Sequence, residues 1–222
     1  MIRIGHRGAA GHEPENTLRS FRRALEIGVD FIETDLQRSL DGTIVLMHDK
    51  RVDRTTNGTG TVDSLTIDQL KALDASRGTG ERVPTLGELL TLASGRAGLM
   101  LEIIAPGIAR QVAEQVNAAA FQGDVIYASF HHAALLEVEA VNPRASRLAL
   151  IEGVPVNTTA FLRDAHATHA GLAIDSVTPE FIDDIRRAGV EVFVYTANDP
   201  RDIAMLRSMR VSGIISDFPD RV

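Results

Sequence analysis

The sequence predicts an α/β chain folded as a (β/α)8 TIM barrel with a small insertion after the second strand, and three observations carry that reading. Short apolar runs alternate with segments of helical period along the chain, the pattern of a parallel sheet. Setting aside an extra extended run at Thr43 to Met47, eight strand-like runs can be counted, the number that closes a barrel. The Gly-rich fingerprint expected after the first strand of an open dinucleotide-binding sheet is missing.

The elements follow in order. Ile2 to Gly5 is the first run. Asn16 or Thr17 caps a helix carrying Leu18, Phe21, Leu25 and Ile27 at spacings of three and four, and Gly28 stops it. Phe31 to Leu36 is the second strand, Asp41-Gly42 a turn, and Thr43 to Met47 an extended run. Residues 49–83 break the rhythm with a polar loop and a short helix at Ile67 to Leu73, and read as an insertion within a single domain of residues 1–222. After Pro84 come helix Leu86 to Ala93, strand Gly98 to Ile104, helix Ile108 to Ala119 and strand Val125 to Ser129. Helix Ala133 to Val141, strand Arg147 to Ile151, helix Thr158 to Ala165 and strand Gly171 to Ile174 continue the pattern. Helix Pro179 to Ala188, strand Glu191 to Thr196, a helix opened by Asp199-Pro200, and strand Gly213 to Ser216 complete it.

Composition narrows the function. Hydrophobic residues make up 44% of the chain, enough to fill a core, so disorder of the whole chain is excluded. The net charge of −7 argues against nucleic acid as a partner. The absence of cysteine rules out disulfides and thiolate metal sites. No signal peptide and no apolar run of membrane-spanning length is visible, so the expectation is a cytoplasmic protein without stable membrane insertion.

In a barrel enzyme the chemistry sits at the C-terminal ends of the strands. His6-Arg7-Gly8 follows strand one directly. Glu33 and Asp35 lie two apart in strand two and so present two carboxylates on one face. Like charges so placed repel, and a divalent cation between them resolves the conflict. His48-Asp49 ends the run that begins at Thr43, Glu102 interrupts the apolar run Leu99 to Ile104, and Asp217 follows the last strand. Three carboxylates without a thiolate fit a hard cation such as Mg²⁺ or Ca²⁺. Two histidines beside it suit proton transfer near neutral pH, and Arg7 can neutralise an anionic substrate oxygen. Together these parts suggest phosphoryl chemistry. His12, His131, His132, His166 and His169 read as surface or structural residues, and Asn198-Asp199 as a helix cap. Phe130 and Tyr195 fit a pocket wall or core packing about equally. A Schiff-base aldolase would need a lysine at a strand end, and neither Lys50 nor Lys71 is so placed.

At this point an ordered series of motifs resembles the glycerophosphodiester phosphodiesterase family. His6-Arg7-Gly8 with Pro14-Glu15-Asn16-Thr17 looks like its opening signature, continued by Glu33-Thr34-Asp35, Asp41-Gly42 and His48-Asp49. Asp53 to Gly60 resembles the family's insertion loop. Pro84-Thr85-Leu86, Leu101-Glu102-Ile103, Ser129-Phe130, Tyr195 to Asn198 and Gly213 to Pro219 follow. The resemblance implies metal ligands at Glu33, Asp35 and Glu102, an acid–base pair at His6 and His48, and a phosphate contact at Arg7. Glu15 would hold Arg7 or His6. It implies hydrolysis of a small-molecule glycerophosphodiester to glycerol 3-phosphate and an alcohol, in lipid and glycerol metabolism. The expected assembly is a monomer or homodimer. In such enzymes a free glycerol hydroxyl attacks phosphorus, expels the alcohol and leaves a cyclic phosphate that water opens.

Two departures stand out. The family's usual Lys after Leu-Glu-Ile is Ile104 here, and its usual Trp before Thr196 is Tyr195. The first removes a cation from the phosphate site. It keeps open a catalytically weakened phosphodiester-binding barrel, beside a lysophospholipase D-like diesterase, as alternatives to the leading reading.

Overall fold

Strand β1 (Ile2–Gly5) pairs in parallel with β2 (Phe31–Arg38) on one side and with the last strand, β9 (Gly213–Ser216), on the other, and this double pairing closes the sheet. The computed structural model describes residues 1–75, 78 and 80–222. Between the closing strands run β4 (Gly98–Ile103), β5 (Val125–Ser129), β6 (Ser146–Ile151), β7 (His169–Ala173) and β8 (Glu191–Tyr195), each parallel to its neighbours. The expected eight-stranded (β/α)8 barrel is therefore what the chain forms.

The helices sit outside the barrel and begin where their sequences say they should. Thr17 caps α1 (Leu18–Ile27) by accepting from the Ser20 N–H, and Gly28 ends it at φ 81°, a left-handed conformation that glycine adopts without Cβ strain. Thr85 and Glu88 form a capping box on α3 (Leu86–Ala93). Proline occupies the first turn of α7 (Pro179–Arg187) and of α8 (Pro200–Ser208). Helices α4 (Ala109–Ala118) and α5 (Ala133–Val141) cover β4 and β5.

Strand alternation sorts the core into an inside and an outside. Ile4, Met100, Ile126, Ala128, Leu148, Leu150, Phe193 and Ile215 fill the barrel interior. The residues between them along each strand, such as Ile32, Leu99, Leu101 and Ile103, face the helices. Phe181, Ile185, Val192, Val194 and Ile214 do the same on the far side. Gly171 is required inside, since a Cβ there would lie 2.6 Å from side-chain atoms of both Leu148 and Leu150.

Three elements differ from the sequence reading by two residues at one end. The second strand runs on to Arg38 because β3 (Ile44–Leu46) folds back antiparallel onto Leu36, Gln37 and Arg38. The helix expected from Thr158 to Ala165 is the five-residue α6 (Ala160–Asp164). Thr158 donates its hydroxyl to Asp184 instead of capping, and Asn157 Oδ1 takes the Thr159 and Ala160 N–H groups. The seventh strand starts at His169 and stops at Ala173, where a single 3₁₀ turn begins at Ile174.

After β3 the chain makes a 3₁₀ turn at Val62–Ser64 and the short helix α2 (Ile67–Ala72). Val45, Met47, Val52, Val62, Leu70, Ala75 and Val83 pack into a small cluster of their own. Residues 76, 77 and 79 of the segment 49–83 lie outside the described residues.

Candidate active site

The alternation that fills the barrel also decides what crowns it. Continuing the inward-facing parity past the apolar layer brings up His6 on β1, Glu33 and Asp35 on β2, Glu102 on β4 and Asp217 on β9. Phe130, Glu152 and Tyr195 share that parity on β5, β6 and β8. All but Glu33 and Asp35, which lie inside the longer β2, sit at or next to the C-terminal ends of their strands.

Glu33, Asp35 and Glu102 each offer a carboxylate oxygen, and the three atoms lie within 4.8 Å of one another. Asp35 and Glu102 are register partners across β2 and β4. Glu33 and Asp35 are 3% and 1% exposed, so water does not screen their repulsion. Burial, then the charges of Asp35 and Glu102, hold the Glu33 carboxyl well above the usual carboxylate range. Burial and the charge of Asp35 push Glu102 up to about 8. Glu33 Oε1 is buried without any hydrogen-bond partner. An orphaned oxygen beside two further carboxylates is a donor set that a hard divalent cation fits.

The turn after β1 serves this cluster. Gly8 adopts φ 89°, and a Cβ there would lie 2.4 Å from Ser20 Oγ. Ser20 Oγ donates to the Arg7 carbonyl and accepts from the Ala9 N–H, both at 2.8 Å. The turn so fixed aims the Arg7 N–H at Glu33 Oε2, 2.7 Å away. The Arg7 side chain donates to Glu15 Oε1 at 2.7 Å, and its Nε lies 3.2 Å from Asp35 Oδ2, an ion-pair distance without hydrogen-bond alignment. Glu15 thus holds Arg7. Asn16, with a left-handed backbone at φ 56°, donates from Nδ2 to Asp35 Oδ2 at 2.8 Å.

Each histidine has a carboxylate behind it. His6 Nδ1 lies 2.6 Å from Asp217 Oδ1, and the Asn198 amide donates to Asp217 Oδ2 at 2.6 Å. Burial works against ionisation of Asp217, but its hydrogen bond and charge pairing with His6 prevail and hold it below the ordinary aspartate range. His48 Nδ1 lies 2.7 Å from Asp49 Oδ1. The hydrogen bonds from Arg54 hold Asp49 far below that range. An ionised carboxylate only accepts, so Nδ1 carries the proton in both rings and Nε2 is left without it.

Arg54 ties the two halves together. It donates from Nε to Asp49 at 2.6 Å, and from Nη1 and Nη2 to Glu15 at 2.7 and 2.8 Å. An unbroken ionic chain therefore runs from Arg7 through Glu15, Arg54 and Asp49 to His48. Arg54 was not singled out in the sequence, where it is one Arg in a polar loop. The Asn198-Asp199 reading needs dividing: Asp199 caps α8, whereas Asn198 holds Asp217. The adjacency of Asn198 to that cap concealed its second role.

The chain matches the model of the Glycerophosphoryl diester phosphodiesterase family over residues 6–221. It is 34% identical to a glycerophosphodiester phosphodiesterase of Caldanaerobacter subterraneus subsp. tengcongensis, over 98% of this chain and 94% of that protein. It is 31% identical to one from Bacillus subtilis, over 99% and 84%. Among solved structures it superposes on an Oleispira antarctica phosphodiesterase in complex with the product sn-glycerol-3-phosphate, with a TM-score of 0.93, 27% identity and coverage of 100% and 94%. A glycerophosphodiester phosphodiesterase from Agrobacterium tumefaciens gives a TM-score of 0.88 at 30% identity, covering 100% and 98%. Fold, ordered motifs and relatives agree: the chain is an enzyme belonging to the glycerophosphoryl diester phosphodiesterase family.

Proposed function

We propose that this protein hydrolyses glycerophosphodiesters to glycerol 3-phosphate and an alcohol, with Glu33, Asp35 and Glu102 holding a divalent cation and His6 and His48 moving the protons. The observation that carries the reading is the carboxylate trio within 4.8 Å, with an unpartnered buried oxygen on Glu33. Oxygen-only ligands fit Mg²⁺ or Ca²⁺, and such an ion supplies charge stabilisation for the phosphoryl oxygens.

The chain's own groups do the rest. Arg7 brings a guanidinium to the phosphate side of the trio and is held there by Glu15 and its own backbone bond to Glu33. One histidine Nε2 accepts the proton of the attacking glycerol hydroxyl. The other, in its protonated form, gives a proton to the departing alcohol oxygen. When water opens the cyclic phosphate the two exchange roles, which restores both rings. Asp217 and Asp49 keep each ring in the tautomer this requires. The site is one domain's work, with residues 49–83 as an insertion that delivers Asp49 and Arg54.

A second reading, action on lysophospholipids, draws on one observation. Phe130, Val154 and Val156 are exposed apolar residues following β5 and β6 at the mouth. No helix among the described residues is long and apolar enough to cross a membrane. One experiment tests both readings and the diester-binding alternative raised by Ile104. Glycerophosphocholine and lysophosphatidylcholine are incubated with the protein, with Mg²⁺, Ca²⁺ or chelator, and phosphate monoester release is followed. Metal-dependent release of glycerol 3-phosphate is expected; tight diester binding without release under any metal would overturn the enzyme reading.

A further inference from the structure

Among the described residues, the backbone of His48 makes no hydrogen bond to another backbone group. The β2–β3 ladder pairs Arg38 with Ile44, Gln37 with Val45 and Leu36 with Leu46. One further bond, from the Met47 N–H to the Asp35 carbonyl at 3.0 Å, carries the pairing a step beyond the ladder. There the chain leaves the sheet for the insertion, and His48 is the first residue past the last backbone link.

A side chain supplies the missing link. Gln37 donates from Nε2 to the His48 carbonyl at 3.0 Å. A carbonyl only accepts, so the amide can meet it only with its nitrogen, which fixes the way the side chain is turned. Gln37 is 6% exposed, so little water competes for the bond. The carbonyl it holds belongs to the planar peptide that joins His48 to Asp49. One bond therefore constrains both the ring and the carboxylate behind it.

The origin of that bond matters as much as its target. By strand alternation Gln37 lies on the same face of β2 as Glu33 and Asp35. Asp49, the other support of His48, belongs to the insertion and reaches the barrel through Arg54 and Glu15. Asp49 decides which ring nitrogen carries the proton. Gln37 ties the residue to the strand that carries two of the three clustered acids.

Resting on the diesterase reading above, we infer that Gln37 is a positioning residue for proton transfer. It holds the His48–Asp49 peptide against β2 and so sets the reach of His48 Nε2 over the acid trio. Without the donor the peptide is free to turn, and a misplacement on the order of 1 Å costs about 10²-fold in rate.

Gln37→Met keeps the length of the side chain and removes the donor. With glycerophosphocholine, kcat should fall about 10- to 100-fold, while KM and divalent-metal affinity stay within about twofold of wild type. The fall should be absent in a His48→Ala background, because a residue that acts through His48 has nothing left to position. A wild-type kcat in Gln37→Met overturns the inference, and so does a fall of equal size in both backgrounds. Loss of metal affinity in step with kcat overturns it too, assigning Gln37 to the acid trio instead. A ring readout stands beside the kinetics. The chain has seven histidines, so the His48 ring signals in an NMR spectrum can be assigned by comparison with His48→Ala. Gln37→Met should shift them and leave those of His6 in place; unmoved His48 signals overturn the inference. If Gln37→Met does not fold, Gln37→Leu, which also lacks a donor, takes its place with the same outcomes. If His48→Ala has no measurable turnover, or the wild type turns over no diester, the ring signals decide. Only the second of these is a failure of the enzyme reading.

Discussion

The Asn16 side-chain amide donates to Asp35 Oδ2 at 2.8 Å, while its carbonyl accepts from the Thr34 hydroxyl at 2.7 Å. One buried side chain thus grips the strand that carries two of the three clustered acids. Removing it frees Asp35 to turn and strands the Thr34 hydroxyl. Asn16→Ala should weaken divalent-metal affinity by roughly 10- to 100-fold, the usual cost of losing a support behind a ligand. It should also cost about 1–3 kcal/mol of stability through the unpaired buried groups. Metal titration by calorimetry and denaturant unfolding check the two parts.

The acid cluster makes the metal-free protein sensitive to alkali. Glu102 is pushed up from 4.5 to about 8, and Glu33 is raised as well. A carboxyl whose folded pKa is raised binds its proton more tightly folded than unfolded. Its stabilising contribution is full below about pH 4.5 and is lost as pH rises through about 8. Chelated protein should therefore melt at a lower temperature at pH 8 than at pH 5.5. Added Mg²⁺ or Ca²⁺ should raise the melting temperature most at pH 8. A pH-independent gap between loaded and chelated protein would contradict this account.

Asp217→Asn tests the support behind His6. The amide can turn either its donor or its acceptor to Nδ1, so the ring is no longer confined to the tautomer that leaves Nε2 free. The expected loss is roughly 10²- to 10⁴-fold in kcat, with KM little changed, since both Asp217 oxygens are already taken by His6 and Asn198. Steady-state kinetics on glycerophosphocholine separates the two constants.

Arg54→Lys asks whether the ionic chain to His48 depends on a planar fork. A lysine keeps the charge but cannot bridge Glu15 and Asp49 with parallel bonds as Arg54 does. A fall in kcat of about tenfold is expected, with a melting temperature within a few degrees of wild type because these pairs are partly exposed. Kinetics with a parallel thermal melt distinguishes this from unfolding.

Gly171→Ala tests the interior layer beneath the site. The new methyl would press on Leu148 and Leu150, each 2.6 Å from its position. Overpacking of this kind costs about 1–3 kcal/mol. Denaturant unfolding gives the magnitude, and preserved metal binding would show that the strain stays below the mouth.

What the sequence made legible follows from period and position. Glu33 and Asp35 could be placed on one face because strand alternation is local, and Glu102 stood out because an acid inside an apolar run needs a reason. Asp217 was visible at a strand end, but its pairing with His6 depends on barrel closure and has no local signature. Asn16 and Thr17 were equally good caps on paper. Thr17 takes that position, and the left-handed turn that frees Asn16 for Asp35 is set by contacts from Arg7 and Ser20. Arg54 had nothing to distinguish it from other loop arginines until Glu15 and Asp49 were brought to it. The short α6 reflects a contest that propensity does not decide, in which Asn157 and Thr158 find partners outside the helix.

The closing of β9 against β1 has a consequence for how the protein is born. During translation His6 leaves the ribosome well before the carboxylate it pairs with, which lies 211 residues further along the chain. Until β9 is synthesised and docked, the growing polypeptide has its acid trio but no oriented His6. Activity should therefore switch on late and all at once, and nascent chains stalled before Asp217 should be inert towards diester.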